Sequence, residues 1–253
     1  ADICLGTAQF GSSYGITNSN GIIAEEDVRE ILHYASQEGI MYLDTAQSYG
    51  SAEDVLGRTA PRKSNFEVIT KLPAQRQTFF TADDISVWEK NYCLSLKRLK
   101  SLKLNGLLLH NASDLRKPGS EHLKKWLLSL RKRHMVKNLG VSIYGSSDLI
   151  QIEQDFLDIV QLPLSLYDQR LILDGTISKL KSDGSSVHVR SVFLQGLLLA
   201  NTGSWPLWID QSSRDHHARF EAFALSKESS QLELALNFIR SQQEVDAVLK
   251  MST

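Results

Sequence analysis

Four side chains suited to proton transfer stand at the ends of consecutive predicted strands or in the loops after them. Asp44 ends one strand, and Tyr49 follows it in a loop that Gly50 closes. Lys71 is the last residue of the next predicted strand, and His110 closes the one after that. In a parallel barrel, reactive side chains lie at the C-terminal ends of strands and in the following loops. We therefore expect these four side chains to converge on one pocket.

Each of the four residues, taken singly, also has an ordinary structural explanation. An aspartate after a strand often caps the next turn, and a lysine at a strand end is usually solvated. A single histidine is more often structural than catalytic. Their occurrence together at successive strand ends favours a functional group over four separate structural residues.

The elements that must position these side chains follow from the alternation of short apolar segments with longer amphipathic ones. The predicted strands are Ile3–Ala8, Met41–Thr45, Glu67–Lys71, Gly106–His110, Asn138–Ser142, Asp158–Pro163, Val187–Phe193 and Asp246–Lys250. The predicted helices are Ala24–Gly39, Ser51–Ala60, Thr81–Leu102, Glu121–His134, Ser146–Phe156 and Ser229–Gln242. The segment Asn201–Arg219, which contains Trp205 and Trp208, is predicted to be an irregular loop and a candidate flap.

Eight strands separated by helices favour an α/β fold of the closed (β/α)8 TIM barrel type, as a single domain over residues 1–253. An open doubly wound sheet would carry a glycine fingerprint after its first strand, and the spacing of Gly6, Gly11 and Gly15 does not match it. The last predicted strand ends near Lys250, three residues before the chain stops. A full barrel needs a helix over that strand, so we expect either a missing C-terminal segment or some other cover.

The composition is that of an ordinary globular protein and excludes some functions. With 42% hydrophobic residues, and 28 basic against 29 acidic residues, the chain can form a sizeable core and lacks the basic excess of a nucleic-acid-binding protein. No apolar run approaches the roughly 20 residues of a membrane span, and no signal peptide opens the chain. We expect a cytoplasmic protein in which Cys4 and Cys93 are buried free thiols.

Other chemistries are disfavoured by spacing. His216 and His217 are adjacent in a predicted polar loop, and neighbouring positions rarely direct two imidazoles at one metal, so no metal site is expected. A serine hydrolase would need a nucleophile elbow, which the sequence lacks. The pocket rim is expected to include Phe10, Tyr14 and Asn111, together with the flap.

Several separated motifs together resemble those of one known family. The segment DTAQSYGSAEDVLG at residues 44–57 resembles the signature of the aldo/keto reductases, and LGTAQFG at 5–11 resembles their first strand. The motifs ITK at 69–71, LLLH at 107–110, GVS at 140–142 and QLP at 161–163 follow in the order of that family. The resemblance extends from about residue 3 to about residue 250. It implies an NAD(P)H-dependent oxidoreductase that reduces an aldehyde or ketone, in one hypothesis a sugar-derived one.

The resemblance implies a catalytic role for each of the four residues. Tyr49 would donate the proton, but a phenol with a pKa near 10 is a weak acid at neutral pH. Lys71 is expected to lower that pKa, and Asp44 to keep Lys71 protonated and oriented. His110 would donate a hydrogen bond to the carbonyl oxygen of the substrate. The hydride would come from the nicotinamide.

The same resemblance implies a cofactor site beside these residues. Gly6, Thr7 and Asp44 would lie against the cofactor, and Ser142 and Gln161 would bind the carboxamide. Ile143 stands where the family often has asparagine, and Arg190 stands where many members have an aromatic residue that stacks on the nicotinamide. We hypothesise that the guanidinium of Arg190 packs there instead. The end of the seventh strand would supply the remaining contacts, including the approach to the pyrophosphate: Ser191, Phe193, Gln195 and Gly196.

The identity of the cofactor and the partners stays open to alternatives. NADP(H) is expected more than NAD(H) from the family alone, because the sequence stops before the segment that would bind the 2′-phosphate. The expected partner is a small carbonyl compound, not nucleic acid or membrane, and the protein is expected to be a monomer or small homo-oligomer. One alternative is a cofactor-sensing regulatory protein with slow turnover. Another is an unrelated barrel enzyme that binds phosphate near strands seven and eight.

Overall fold

Parallel strands close into a barrel in this protein, which a computed structural model describes over residues 1–100 and 102–251. In this part of the chain, neighbours along the sequence are neighbours in the sheet, and β1 pairs with β8 to complete the circle. The strands are β1 Asp2–Gly6, β2 Tyr42–Asp44, β3 Glu67–Leu72, β4 Lys103–Leu109, β5 Asn138–Ser142, β6 Ile159–Pro163, β7 Ser186–Arg190 and β8 Ala247–Met251. The predicted (β/α)8 barrel is therefore confirmed.

Helices cover the outside of the barrel. They are α1 Glu25–Gln37, α2 Ala52–Thr59, α3 Asp84–Leu99, α4 Ser120–Lys132, α5 Arg170–Leu173, α6 Thr176–Ser182, α7 Gln211–Ser226 and α8 Gln231–Ser241. In α1, for example, Val28, Leu32 and Ala35 are buried at helical spacing, so one face of the helix packs on the sheet. Among the described residues, no helix combines the length and the apolar character needed to cross a membrane.

The helix predicted for Ser146–Phe156 is wrong. Two short 3-10 turns, Ser146–Leu149 and Gln154–Phe156, take its place. The carboxylate of Asp148 accepts hydrogen bonds from the backbone N–H groups of Tyr144 and Gly145, and Gln151 has a φ of 60°. Local side-chain bonds of this kind compete with a regular helix, and a left-handed residue interrupts it.

The irregular loop predicted for Asn201–Arg219 is wrong over its second half, where α7 begins at Gln211. The helix begins because the side chain of Asp210 accepts a hydrogen bond from the N–H of Ser213 at 2.9 Å. His217, predicted in a polar loop, is fully buried on this helix. Its Nδ1 lies 2.8 Å from the hydroxyl of Tyr167, and its Nε2 lies 2.9 Å from the carbonyl oxygen of Ala200. The helices α5 and α6 were not predicted.

The two cysteines differ in burial. Cys4 is buried inside the barrel, as expected, where it packs against Ala247 and Leu249 of β8. Cys93 is exposed, so the prediction of a buried thiol there is wrong. Both are free thiols. The side chains of Ile69, Leu108 and Ile159 fill another part of the interior, so the barrel is a packed core.

Candidate active site

A cavity of about 590 Å³ opens at the C-terminal end of the barrel, between the loop after β1 and the loop after β7. It is of the size that small-molecule sites usually have. Ten of the residues predicted for the site line it, namely Gly6, Thr7, Asp44, Tyr49, Gln161, Arg190, Ser191, Phe193, Gln195 and Gly196. Lys71, His110 and Ser142 do not line it. Lys71 is completely buried behind the wall, Ser142 is buried beside Gln161 on the adjacent strand, and His110 is partly exposed.

A buried ion pair lies directly behind the cavity wall. The Nζ of Lys71 donates hydrogen bonds to both carboxylate oxygens of Asp44 at 2.7 Å and to the carbonyl oxygen of Thr45 at 3.0 Å. All three ammonium protons are thus engaged. Burial by itself lowers the pKa of Lys71, but the attraction of Asp44 and Tyr49 outweighs it and raises that pKa above the ordinary value. Lys71 is therefore a permanent cation at neutral pH.

Asp44 is held from two further sides. The backbone N–H and the hydroxyl of Thr7 both donate to the carbonyl oxygen of Asp44, at 3.0 and 2.9 Å. The side-chain amide of Gln161 donates to the Oδ1 atom of Asp44 at 2.8 Å. Gln161 was expected to bind the carboxamide of a cofactor; here its Nε2 is directed at the carboxylate. Side chains of β3 and β6 therefore meet at the carboxylate of Asp44, while Thr7, after β1, bonds the backbone of the same residue.

Tyr49 lies where the cavity meets the ion pair. The Nζ of Lys71 is 5.2 Å from the centre of the Tyr49 ring. Burial raises the pKa of Tyr49, and the opposing effect of the Lys71 charge does not overcome it. Lys71 lowers this pKa as expected, but the prediction that the pKa would lie below its ordinary value is wrong, because burial, with a smaller contribution from Asp44, raises it by more. Tyr49 is a protonated phenol at neutral pH, the form that can donate a proton.

His110 stands beside Tyr49, with the two ring centres 5.9 Å apart and the ring planes nearly perpendicular. Its Nδ1 lies 3.1 Å from the hydroxyl of Ser48. Burial, together with the positive charge of Lys71, lowers the pKa of His110 to about 4. The imidazole is therefore neutral near pH 7 and carries a single N–H that can serve as a donor.

The loop that carries Tyr49 is fixed by close backbone packing. Gly11 and Gly50 lie against each other, and a Cβ atom on either would overlap the backbone of the other loop. The amide of Gln47 donates to the carbonyl oxygen of Asn91 at 2.9 Å and to the hydroxyl of Ser95 at 2.7 Å. This loop therefore holds Tyr49 in place before any ligand binds.

Arg190, at the end of β7, reaches across the mouth of the barrel. Its Nη2 donates to the carbonyl oxygen of Ile143, after β5, at 2.9 Å, so the guanidinium extends past the end of β6. The guanidinium carbon lies 4.3 Å from the centre of the Tyr144 ring. One face of the guanidinium is therefore covered by an aromatic side chain.

The predicted rim is correct only in part. Tyr14 lines the cavity, whereas Phe10 is completely buried in the core and Asn111 caps a 3-10 turn by accepting from the N–H of Ser113. Trp205 stacks on His217 with the ring centres 4.4 Å apart. The polar segment 15–21 after β1 lines the cavity and was missed. Its sequence GITNSNG is rich in residues that favour turns. This richness is the only sequence signal that could have indicated a loop forming part of the cavity wall.

A second buried histidine lies below the ion pair. His188 of β7 is paired in register with Gln161 of β6 and is only 5% exposed. Its Nε2 lies 3.1 Å from the hydroxyl of Ser186, and its Nδ1 has no partner among the described residues. Burial lowers the pKa of His188 from the ordinary value of 6.5 to about 4.

This histidine makes the stability of the fold depend on pH. Between about pH 6.5 and about pH 4 the unfolded chain binds a proton at His188 that the folded chain does not, so acidification favours unfolding. We expect the free energy of unfolding of the wild type to fall more steeply over this range than that of His188→Gln. Urea unfolding at a series of pH values measures the difference. His33→Gln, at an exposed position on α1, is the control, and parallel curves for wild type and His188→Gln would contradict the prediction.

Comparison with known proteins adds to this geometry. The family model described as "Aldo/keto reductase family" matches residues 2–253. The fold is similar to that of an aldo-keto reductase from Bacillus halodurans in its holo form, with a TM-score of 0.75 and 18% identity over 99% of this chain and 82% of that one. It is also similar to a glycerol dehydrogenase from Gluconobacter oxydans, with a TM-score of 0.69 and 23% identity over 99% and 82% of the two chains. A search of curated proteins finds no match. At these identities the solved structures support the fold alone.

Proposed function

This chain belongs to the aldo/keto reductase family, and we propose that it is an NAD(P)H-dependent oxidoreductase that reduces an aldehyde or ketone to the alcohol. The observation that carries the proposal is the buried Lys71–Asp44 ion pair. It lies behind Tyr49, and Tyr49 lines the cavity. Burying an ion pair is costly, and well-packed apolar residues often stabilise a core as well or better. The presence of this ion pair is therefore better explained by its effect on the chemistry of the Tyr49 phenol than by a contribution to the stability of the fold.

In the proposed reaction Tyr49 is the proton donor. The bound nicotinamide would supply the hydride to the carbonyl carbon. The hydroxyl of Tyr49 gives its proton to the carbonyl oxygen, which leaves a phenolate beside the ammonium of Lys71. That positive charge stabilises the phenolate as it forms, and Asp44 keeps the ammonium in place. Solvent then returns a proton to Tyr49.

His110 orients the substrate in this scheme. Since the imidazole is neutral at pH 7, it donates one hydrogen bond to the carbonyl oxygen without becoming the acid. If the hydroxyl of Ser48 donates to Nδ1, the proton of the ring is on Nε2. His110 and Tyr49 would then address the same oxygen from two directions.

The cavity has features that fit a dinucleotide. In the loop after β7, Ser191, Leu194 and Gln195 all have φ between 50° and 59°. Each non-glycine residue in this conformation costs about 1–2 kcal/mol, and such strain concentrates at ligand-binding loops. We assign this loop, with Phe193 and Gly196, to the phosphate end of the cofactor. Gly6, Thr7, Asp44, Ser142 and Gln161 would hold the nicotinamide end, where the uncovered face of Arg190 would pack on the ring.

Gly196 allows the closest approach in this loop. It has a φ of 96°, and a Cβ atom there would overlap the hydroxyl of Thr17, whose side chain donates to the carbonyl oxygen of Gln195 at 3.3 Å. We expect Gly196→Ala to displace the loop and to raise the Kd for NADPH at least about tenfold, which corresponds to about 1.4 kcal/mol.

Titration of NADPH against protein fluorescence measures this Kd. Gly203→Ala is the matched control, because a Cβ atom there meets nothing within 4 Å. Thermal unfolding of both variants separates a local change from a loss of fold. Equal Kd values for wild type and Gly196→Ala would show that the loop does not contact the cofactor.

The function itself is tested by following nicotinamide absorbance with a panel of aldehydes and ketones, using NADPH and NADH in parallel. We expect turnover with at least one carbonyl and a higher kcat/KM with NADPH. Tight NADPH binding with no turnover of any carbonyl would support the regulatory alternative. No binding of either dinucleotide would overturn the proposal.

A further inference from the structure

Arg190 carries a positive charge from the end of β7 to the end of β5, and it forms no salt bridge with any of the described residues. It is the only lysine or arginine among the described residues that line the cavity. Of the two acidic residues in the wall, Asp44 is neutralised by Lys71, and Asp27 lies on the exposed side of α1. Arg190 is therefore a cation in the described cavity wall that no neighbouring carboxylate neutralises.

Asp168, an acidic residue whose carboxyl pKa is lowered by Arg170 and also by Arg190, is already engaged. Both carboxylate oxygens of Asp168 accept hydrogen bonds from Arg170, at 2.8 and 2.9 Å. Arg190 itself makes one good hydrogen bond, to the carbonyl oxygen of Ile143, and a long one of 3.5 Å to the hydroxyl of Ser191. A guanidinium has five N–H donors, so most of them are left for a ligand.

The place of the guanidinium decides which ligand it meets. Its bond to Ile143 directs it toward the end of β5, on the side of the mouth where His110 follows β4. The loop that we assign to the phosphates of the cofactor begins beside Arg190 at Ser191 and leads away from β5, to the point where Gln195 contacts Thr17. An anion bound on the β5 side of the guanidinium would therefore lie toward His110, which we assign to the reacting carbonyl.

We propose that Arg190 binds an anionic group of the substrate, so that the preferred substrate is an aldehyde or ketone that also carries a carboxylate or a phosphate. Arginine is suited to this role because its planar fork forms paired hydrogen bonds with such groups. Tyr144 holds the guanidinium plane, and Tyr14 forms part of the same wall. This inference rests on the proposed carbonyl reduction and names the class of its substrate.

The test compares charged and neutral substrates of similar shape. One pair is para-carboxybenzaldehyde and para-nitrobenzaldehyde; the other is glyceraldehyde phosphate and glyceraldehyde. At saturating NADPH we expect the wild type to have the higher kcat/KM for the charged member of at least one pair. In Arg190→Gln the ratio of charged to neutral kcat/KM should fall about 10- to 100-fold, the factor that corresponds to one charged hydrogen bond. Arg190→Lys should restore part of it, and Arg58→Gln on the surface should leave it unchanged.

A binding measurement separates this inference from the proposed function. Calorimetry of para-carboxybenzaldehyde with the protein and NADP⁺ needs no turnover, and the affinity should fall in Arg190→Gln. If no carbonyl is reduced but this difference in affinity is found, the anion site stands and the proposed reaction fails. If carbonyls are reduced with the same charged-to-neutral ratio in wild type and Arg190→Gln, the anion site is wrong. The anion site is also wrong if Arg190→Gln changes the Kd for NADPH but leaves the charged-to-neutral ratio unchanged, because Arg190 would then contact the cofactor alone.

Discussion

Replacing Tyr49 by phenylalanine is expected to lower kcat by roughly 100- to 10,000-fold, the usual contribution of a positioned proton donor. The substitution removes only the hydroxyl, so the ring keeps its contact with His110 and its place above Lys71. The Kd for NADPH should therefore change little. Steady-state turnover with the best carbonyl, together with NADPH titration, measures both quantities.

Tyr34→Phe is the matched control for this variant. The side chain of Tyr34 is 64% exposed on α1 and is not part of the cavity wall. Its hydroxyl should therefore be dispensable for turnover. Turnover that survives Tyr49→Phe would show that another group delivers the proton. His110→Gln would then be the next variant to measure, because His110 is the nearest other donor.

Replacing Lys71 by methionine should destabilise the fold and abolish turnover at the same time. It leaves the carboxylate of Asp44, which is 97% buried, without its counter-charge. Breaking a buried pair in this way typically costs about 3–5 kcal/mol. For a domain of this size the melting temperature should fall by about 6–20 °C. Thermal unfolding followed by circular dichroism measures the shift.

The double variant Lys71→Met with Asp44→Asn separates the two effects. It removes both charges and keeps an amide where Gln161 bonds the carboxylate. We expect it to recover at least half of the lost melting temperature but to remain inactive, since no charge is left to stabilise the phenolate of Tyr49. If turnover returned with stability, the ion pair would have only a structural role. An unchanged melting temperature in Lys71→Met would contradict the electrostatic argument.

The regular parts of the barrel were predictable because their patterns are local. β5 was predicted at its observed bounds, Asn138–Ser142, and β3 differs by one residue at its end. Strands buried on both faces are short apolar runs, and a helix such as α1 shows its buried face directly in the spacing of its apolar residues. The secondary structure of such segments is determined by residues that are close together in the sequence.

Errors occur where contacts outside the regular pattern of a segment decide the structure. α7 contains Arg214 and His217, which look like loop residues but bond backbone carbonyls of the segment 200–209 in the fold. Cys93 was expected to be buried, but it lies on the exposed side of α3. Propensity and periodicity do not contain these contacts, because their partners are distant in the chain or on another element.

For the site, the sequence by itself determined the residue types and their order at the strand ends, because the C-terminal ends of parallel strands always meet at one face of a barrel. Only the tertiary structure decided their states. It places Asp44 in the cavity wall and Lys71 behind it, raises the pKa of Tyr49 by burial, and keeps His110 neutral. It also carries Arg190 across to Ile143. Burial and the distances between charges set these properties, and both depend on residues that are far apart in the sequence.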